Sequence, residues 1–206
     1  MAATPGTAPP VDPGDAGPSP GTAGARRGRH TARWTAGGVL LVIAALVALL
    51  ATRPPATATE VATPLLGKPA PSVSGTTLSG GRFGPSAYRG RWVVVNFSAS
   101  WCPPCQQEQP ALVAFAYHHR APGDAVLVGV VYDDSTSSAR AFASSSGATW
   151  PSVVDPGGQI ALRYGVRGPP ETFVISPSGT VVAHLDGAVT TADLDDQIAA
   201  AHAAGL

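Results

Sequence analysis

The feature that most limits what this chain can become is Val93-Val94-Val95-Asn96-Phe97-Ser98-Ala99-Ser100-Trp101-Cys102-Pro103-Pro104-Cys105. Its β-branched apolar run reads as a buried strand, and the small residues after it as a turn. Pro103 suits the first turn of a helix, where its missing N–H would have no intrahelical partner. The stretch therefore predicts a strand, a turn and a helix opening at Cys102, with the Cys102 sulfur at the positive end of the helix, where thiolate is favoured. Cys105, one turn on, is placed to close a disulfide with it. Cys102 is then the accessible attacking sulfur, and Cys105 resolves the mixed disulfide.

These are the chain's two cysteines. A disulfide scaffold needs more, spread along the sequence, and closing so short a loop would stabilise little. Zinc needs about four ligands. His118 and His119 are adjacent rather than spaced as ligands, and read as the solvated end of a helix, so neither metal nor cofactor is expected. Thirteen Lys+Arg balance 13 Asp+Glu, which argues against nucleic acid as a partner, since that needs a concentrated basic surface.

Residues 1–25, with six prolines and five glycines, cannot bury enough apolar surface to order themselves. Residues 34–52 carry no charge, and as a helix they would span about 28 Å, close to the hydrocarbon thickness of a bilayer. Arg26, Arg27, Arg29 and Arg33 precede them, an excess that keeps the N-terminus in the cytoplasm. The expected organisation is a disordered cytoplasmic tail over 1–33, a single transmembrane helix over 34–52 in the cytoplasmic membrane, a Pro/Thr/Ala linker over 53–66, and an extracytoplasmic domain over 67–206. A cleaved signal peptide is the alternative, because the small residues Ala56 and Ala58 follow; either way the domain is exported.

Within that domain, apolar runs predict strands at Trp92–Phe97, Val126–Val131, Ser152–Val154, Thr172–Ile175 and Thr180–Leu185. Helical patterns cover about Pro103–Arg120, Ser137–Ser146, Gln159–Tyr164 and Thr191–Ala203, the last with Thr190 as N-cap. The alternation indicates an α/β fold with a mixed sheet flanked by helices.

WVVVNFSASWCPPCQQEQP, with GKPAPSVSG before it and YGVRGPPETFVISPSGTVV after it, resembles the TlpA/ResA-like branch of thioredoxins over nearly all of residues 67–206. Ser72-Val73 and Ser98 depart slightly from that pattern. The resemblance implies a thioredoxin fold and dithiol exchange at Cys102 and Cys105. This branch commonly has asparagine where thioredoxins proper have a buried aspartate, here Asn96, and places a glutamate three residues after the second cysteine, here Glu108. Spacing of i to i+3 puts Glu108 on the Cys105 side of the helix, as proton acceptor or as an exposed helix glutamate. Pro170 is identified as the fold's cis-proline, with the Pro169 carbonyl free to hold a substrate strand. Glu171 resembles the PET signature of CcmG/DsbE cytochrome c maturation reductases, or is an ordinary strand end. Trp101, in the turn before Cys102, shields the site and offers a contact surface, or packs in the core.

The same resemblance implies a protein-disulfide reductase that takes electrons from a CcdA/DsbD-type membrane donor and acts on the CxxCH site of apocytochrome c. Pro103 and Pro104 lack N–H donors to the Cys102 thiolate and no histidine or lysine lies between the cysteines, which also favours a reductant. A general disulfide oxidase or isomerase, a thiol peroxidase, and a Sco-like copper-binding module using the late-strand His184 are the rival readings.

Overall fold

The structure, a computed structural model, describes residues 29–51 and 58–206, in two units, residues 1–54 and 55–206. Residues 1–28 of the expected tail over 1–33, Thr52 of the expected helix over 34–52, and the linker residues 53–57 lie outside the described residues. The first unit contains helix α1 (Arg29–Ala51), which begins five residues before the expected 34. Its side chains are described over residues 38–49, all of them exposed. Among the described residues, no helix is long and apolar enough to cross a membrane.

In the second unit the elements run β1 (Thr59–Glu60), β2 (Gly75–Thr76), β3 (Arg82–Phe83), a 3-10 turn (Pro85–Ala87), β4 (Trp92–Ser98), α2 (Pro103–His118), β5 (Ala125–Val131), α3 (Thr136–Ser145), β6 (Ser152–Val154), α4 (Gln159–Tyr164), β7 (Glu171–Ile175), β8 (Val181–Asp186) and α5 (Thr191–Ala203). Six strands form one mixed sheet in the order β1-β8-β7-β4-β5-β6. Strands β4, β5 and β6 are parallel, while β7 runs antiparallel to β4 and β8 to β7. This is the mixed sheet with flanking helices that the resemblance implies. The short strands β1, β2 and β3 are additions to the expected set. Two residues of the expected linker belong to the sheet, because Thr59 and Glu60 pair with Asp186 and Leu185 at its edge.

Strand β4 lies between β5 and β7 and is buried from Trp92 to Phe97. Side chains alternate between the faces of a strand, so Val93, Val95 and Phe97 join a core with Phe173, Ile175, Ile160 and Tyr164. Trp92 and Val94 join the other core with Leu112, Phe115, Val174 and Leu194, under α2 and α5. The β4 run is therefore uniformly apolar rather than alternating, as strands covered on both faces are. Asn96 has the parity of Val94 and so faces α2.

Thr190 caps α5 as expected. Its side chain accepts from the Asp193 N–H, and the Asp193 side chain accepts in return from the Thr190 N–H. His119, in contrast, is not a solvated helix end. It sits just past α2 with Nδ1 2.9 Å from Asp124 Oδ1 and Nε2 3.0 Å from Asp195 Oδ1, fastening the end of α2 to α5. Adjacent histidines in sequence carry no sign of partners on another helix.

Burial opposes charging His119, but hydrogen bonds and charge from Asp195 and Asp124 outweigh it and raise the imidazole above its usual value. A raised histidine stabilises fully below its unfolded pKa of about 6.5, and that contribution is lost as pH rises through the folded value. His119→Gln is accordingly expected to lower the urea midpoint more at about pH 5 than at about pH 9. An equal loss at both pH values would show that the charge on the clamp contributes nothing.

Candidate active site

The site forms where β4 ends. Cys102 is the N-cap of α2 with Pro103 at the first helical position, and its sulfur accepts the Cys105 N–H at 3.1 Å. The two cysteines are joined as a disulfide. The prolines do leave residues 103 and 104 without donors, yet the Cys105 amide still reaches the first sulfur. That donor will favour a thiolate there once the disulfide is reduced.

Three loops enclose this pair. The peptide between Pro169 and Pro170 is cis, and the Pro169 carbonyl oxygen lies 3.5 Å from Cys102 Sγ. The turn before Cys102 is tied to the loop after β5: Ser100 N–H donates to Asp134 Oδ2 at 2.7 Å, and Trp101 Nε1–H donates to the Asp133 carbonyl at 3.0 Å. Asp133 has a left-handed φ of 41°, which is uncommon for a residue other than glycine. Gln106 Nε2 closes the turn by donating to the Ser100 carbonyl at 2.8 Å. Trp101 stays 54% exposed, as a contact surface requires, whereas Cys102 is only 2% exposed. The accessible nucleophile expected from sequence is thus enclosed in the disulfide state, because the turn and the cis-proline loop fold over it.

Glu108 is not a surface residue. It lies one turn beyond Cys105 on the buried side of α2 and is 2% exposed. Asn96 Nδ2 donates to its Oε1 at 2.8 Å and the Val189 N–H donates to its Oε2 at 3.1 Å. Asn96 Nδ2 also donates to Thr172 Oγ1 at 3.1 Å, across the β4–β7 ladder in which these two residues are paired. Burial pushes the Glu108 carboxyl up to about 7, against the lowering effect of the Asn96 and Val189 hydrogen bonds. A carboxyl poised there can exchange a proton at neutral pH, as a general base must.

Glu171 also turns inward, at 1% exposure, and so braces the loop rather than touching a substrate. Its Oε1 accepts the N–H groups of Arg167 (2.7 Å) and Gly168 (3.1 Å), and its Oε2 lies 2.7 Å from His184 Nε2. Burial works to raise this carboxyl, but the bonds from His184, Arg167 and Gly168 outweigh it and hold it below its usual value. Cys102, Cys105, Glu108, Trp101, Pro169, Pro170 and Glu171 therefore all gather at one end of the sheet. Sequence reasoning misses the Asn96 amide and the Val189 N–H as partners of Glu108, Thr172 as the further partner of Asn96, and Asp133 and Asp134 as anchors of the turn. For Asn96 the signal was its position, a polar residue inside a buried strand. Among the described residues, no three His, Cys, Asp or Glu side chains converge as a metal-ligand set, and His184 is engaged by Glu171.

Residues 66–184 match the AhpC/TSA family. The thiol:disulfide interchange protein DsbE homolog of Paracoccus denitrificans is 36% identical over 132 residues, 63% of this chain and 70% of that protein. The thiol-disulfide oxidoreductase ResA of Bacillus subtilis is 32% identical over 130 residues, 63% of this chain and 72% of that protein. Among solved structures, a thiol:disulfide interchange protein of the thioredoxin family from Chlorobium tepidum superposes with a TM-score of 0.59 at 27% identity, covering 67% of this chain and 97% of that one.

If Glu108 takes the Cys105 proton, Glu108→Gln slows release of a purified Cys102 mixed disulfide by about 10-fold or more, the scale of general-base contributions. In stopped flow, the wild-type rate climbs through pH values near 7, where Glu108 loses its proton, and the variant lacks that step. Wild-type rates across pH in the variant would reduce Glu108 to a packing group.

Proposed function

This chain belongs to the AhpC/TSA family and is a thiol–disulfide oxidoreductase; from that premise we propose that it is a membrane-anchored reductase of protein disulfides outside the cytoplasm. The observation that carries this reading is the Cys102–Cys105 disulfide at the start of α2, with the Pro169 carbonyl beside the first sulfur and Glu108 one turn beyond the second. In the reductive direction the Cys102 thiolate attacks a substrate disulfide, forming a mixed disulfide and releasing one substrate thiolate. Glu108 takes the Cys105 proton, and the Cys105 thiolate attacks Cys102 Sγ, expelling the second substrate thiolate. The substrate gains two electrons, and the enzyme is left with the Cys102–Cys105 disulfide.

Three arguments support the direction and place. No charged side chain stands between the cysteines, and the two residues there are prolines without N–H groups, so thiolate stabilisation is modest and the dithiol is the better electron donor. The described side chains of α1 are apolar or glycine and exposed on every side, as suits a helix whose surroundings are lipid. The arginines before it orient residues 53–206 outward. The substrate that the TlpA/ResA and CcmG-type resemblance points to is the CxxCH disulfide of apocytochrome c, with a CcdA/DsbD-type membrane protein restoring the dithiol.

Cys105→Ser is expected to accumulate mixed disulfides on Cys102 that diagonal electrophoresis and mass spectrometry identify, whereas Cys102→Ser traps none. Recovery of apocytochromes supports the reading; trapping only of proteins without haem-attachment cysteines would replace the substrate class. Topology is tested separately. A reporter that works only outside the cytoplasm, fused after Leu206, is expected to be active, and activity of a cytoplasm-only reporter in its place refutes the orientation.

A further inference from the structure

The exchange steps above use Glu108, on the α2 side of the sheet, and leave unexplained a second buried carboxylate on the opposite side. Glu171 has the parity of Phe173, which belongs to the core that includes Phe97 and Tyr164. His184 is paired with Phe173 in the β7–β8 ladder and stacks on its ring, centroids 4.1 Å apart and planes 8° from parallel. The imidazole is 5% exposed. Its Nδ1 has no hydrogen-bond partner, so the ring's one polar engagement is Nε2 with Glu171 Oε2.

Such a pair is an expensive way to hold a fold together. Two polar, chargeable groups are withdrawn from water, and an apolar pair of similar volume commonly stabilises as well or better. What the pair does hold is the loop before the cis-proline. Of its four residues, Arg167 to Pro170, the two prolines have no N–H. The two remaining amides, of Arg167 and Gly168, both donate to Glu171 Oε1. Every backbone donor of that loop thus ends on one carboxylate oxygen. His184 occupies the other oxygen, so the carboxylate cannot rotate away. The Arg167 guanidinium adds a pair with Asp186 at 2.9 Å, but both side chains are exposed and such pairs contribute little. The next residue along the loop, Pro169, presents the carbonyl that stands 3.5 Å from Cys102 Sγ.

We propose that His184 is a positioning residue for thiol–disulfide exchange, acting through Glu171 to hold the Arg167–Pro170 loop so that the Pro169 carbonyl meets an incoming substrate strand at the Cys102 sulfur. The inference rests on the functional reading above only in requiring that the dithiol exchange with peptide disulfides. His184 makes no contact with the reacting sulfurs. Its effect is on how a peptide is held, and not on the intrinsic reactivity of Cys102.

The test compares the detergent-solubilised full chain with His184→Phe, which keeps a flat ring on Phe173 but removes the donor, and with His184→Gln, which restores an N–H donor. Rates are measured for reduced protein with a disulfide-bonded peptide and for oxidised protein with the dithiol peptide, alongside alkylation of Cys102 by iodoacetamide. His184→Phe is expected to lose about 10-fold in kcat/KM for the peptide, mainly through KM, as a displaced positioning group does. Alkylation stays within about twofold of wild type, and His184→Gln recovers peptide exchange to within about threefold of wild type. Wild-type peptide kinetics in folded His184→Phe would overturn the proposal, as would an equal loss in alkylation or a His184→Gln variant no better than His184→Phe. Should His184→Phe not fold, His184→Met is read against His184→Gln in the same assays with the same outcomes. A wild-type protein that exchanges with the peptide in neither direction sinks the functional reading and this proposal together, whereas a wild type that exchanges and a variant that matches it sinks this proposal alone.

Discussion

Burial of β4 on both faces is the constraint on which the rest of this structure depends. A strand with helices above and below must be apolar along its length, and Val93 to Phe97 leave a single polar position, Asn96. Because β4 is interior to the sheet, its carboxyl end delivers the turn and the start of α2 to the point where β7 begins in the opposite direction. That antiparallel neighbour is why the cis-proline loop, which opens β7, faces the cysteines, which follow β4. The chemistry of the site is the meeting of two strand ends.

Two buried carboxylates flank that meeting point on opposite faces of the sheet, and their surroundings push them in opposite directions. Glu108 has two neutral donors and loses more to desolvation than it gains, so its carboxyl is raised to about 7. Glu171 has two backbone amides and an imidazole, enough to outweigh its burial, and stays ionised to lower pH than usual. The different surroundings give two like groups different roles, since one must take up and release a proton near neutrality while the other must remain a fixed acceptor. The amide of Asn96 serves the first of these. It cannot itself take a proton, but it donates to both Glu108 and Thr172, tying α2 to the β4–β7 ladder beneath the disulfide.

Local chemistry carried much of this into the sequence. The run from Val93 to Cys105 specifies strand, turn and helix start through β-branching, small residues and proline placement. The strand Ser152–Val154 and the helices Gln159–Tyr164 and Thr191–Ala203 were legible to the residue, because a turn residue or a cap stands at each end. The two-residue strands β1, β2 and β3 were not, since so short a segment has no period to read and exists only by pairing with a partner strand.

What the sequence determined by itself is the dithiol, its place at a helix N-terminus and the order of strands and helices around it, all consequences of residues within a few positions of one another. Only the tertiary structure decided which polar side chains are turned inward. Glu108 became a buried group through Asn96 and through the Val189 amide 81 residues away, His119 became a clamp through Asp195, 76 residues away, and Glu171 became a loop brace through His184 on the next strand. In each case the residue type permitted either a solvated or a buried role. The choice fell to whether folding brought a hydrogen-bond partner within about 3 Å to offset the cost of leaving water.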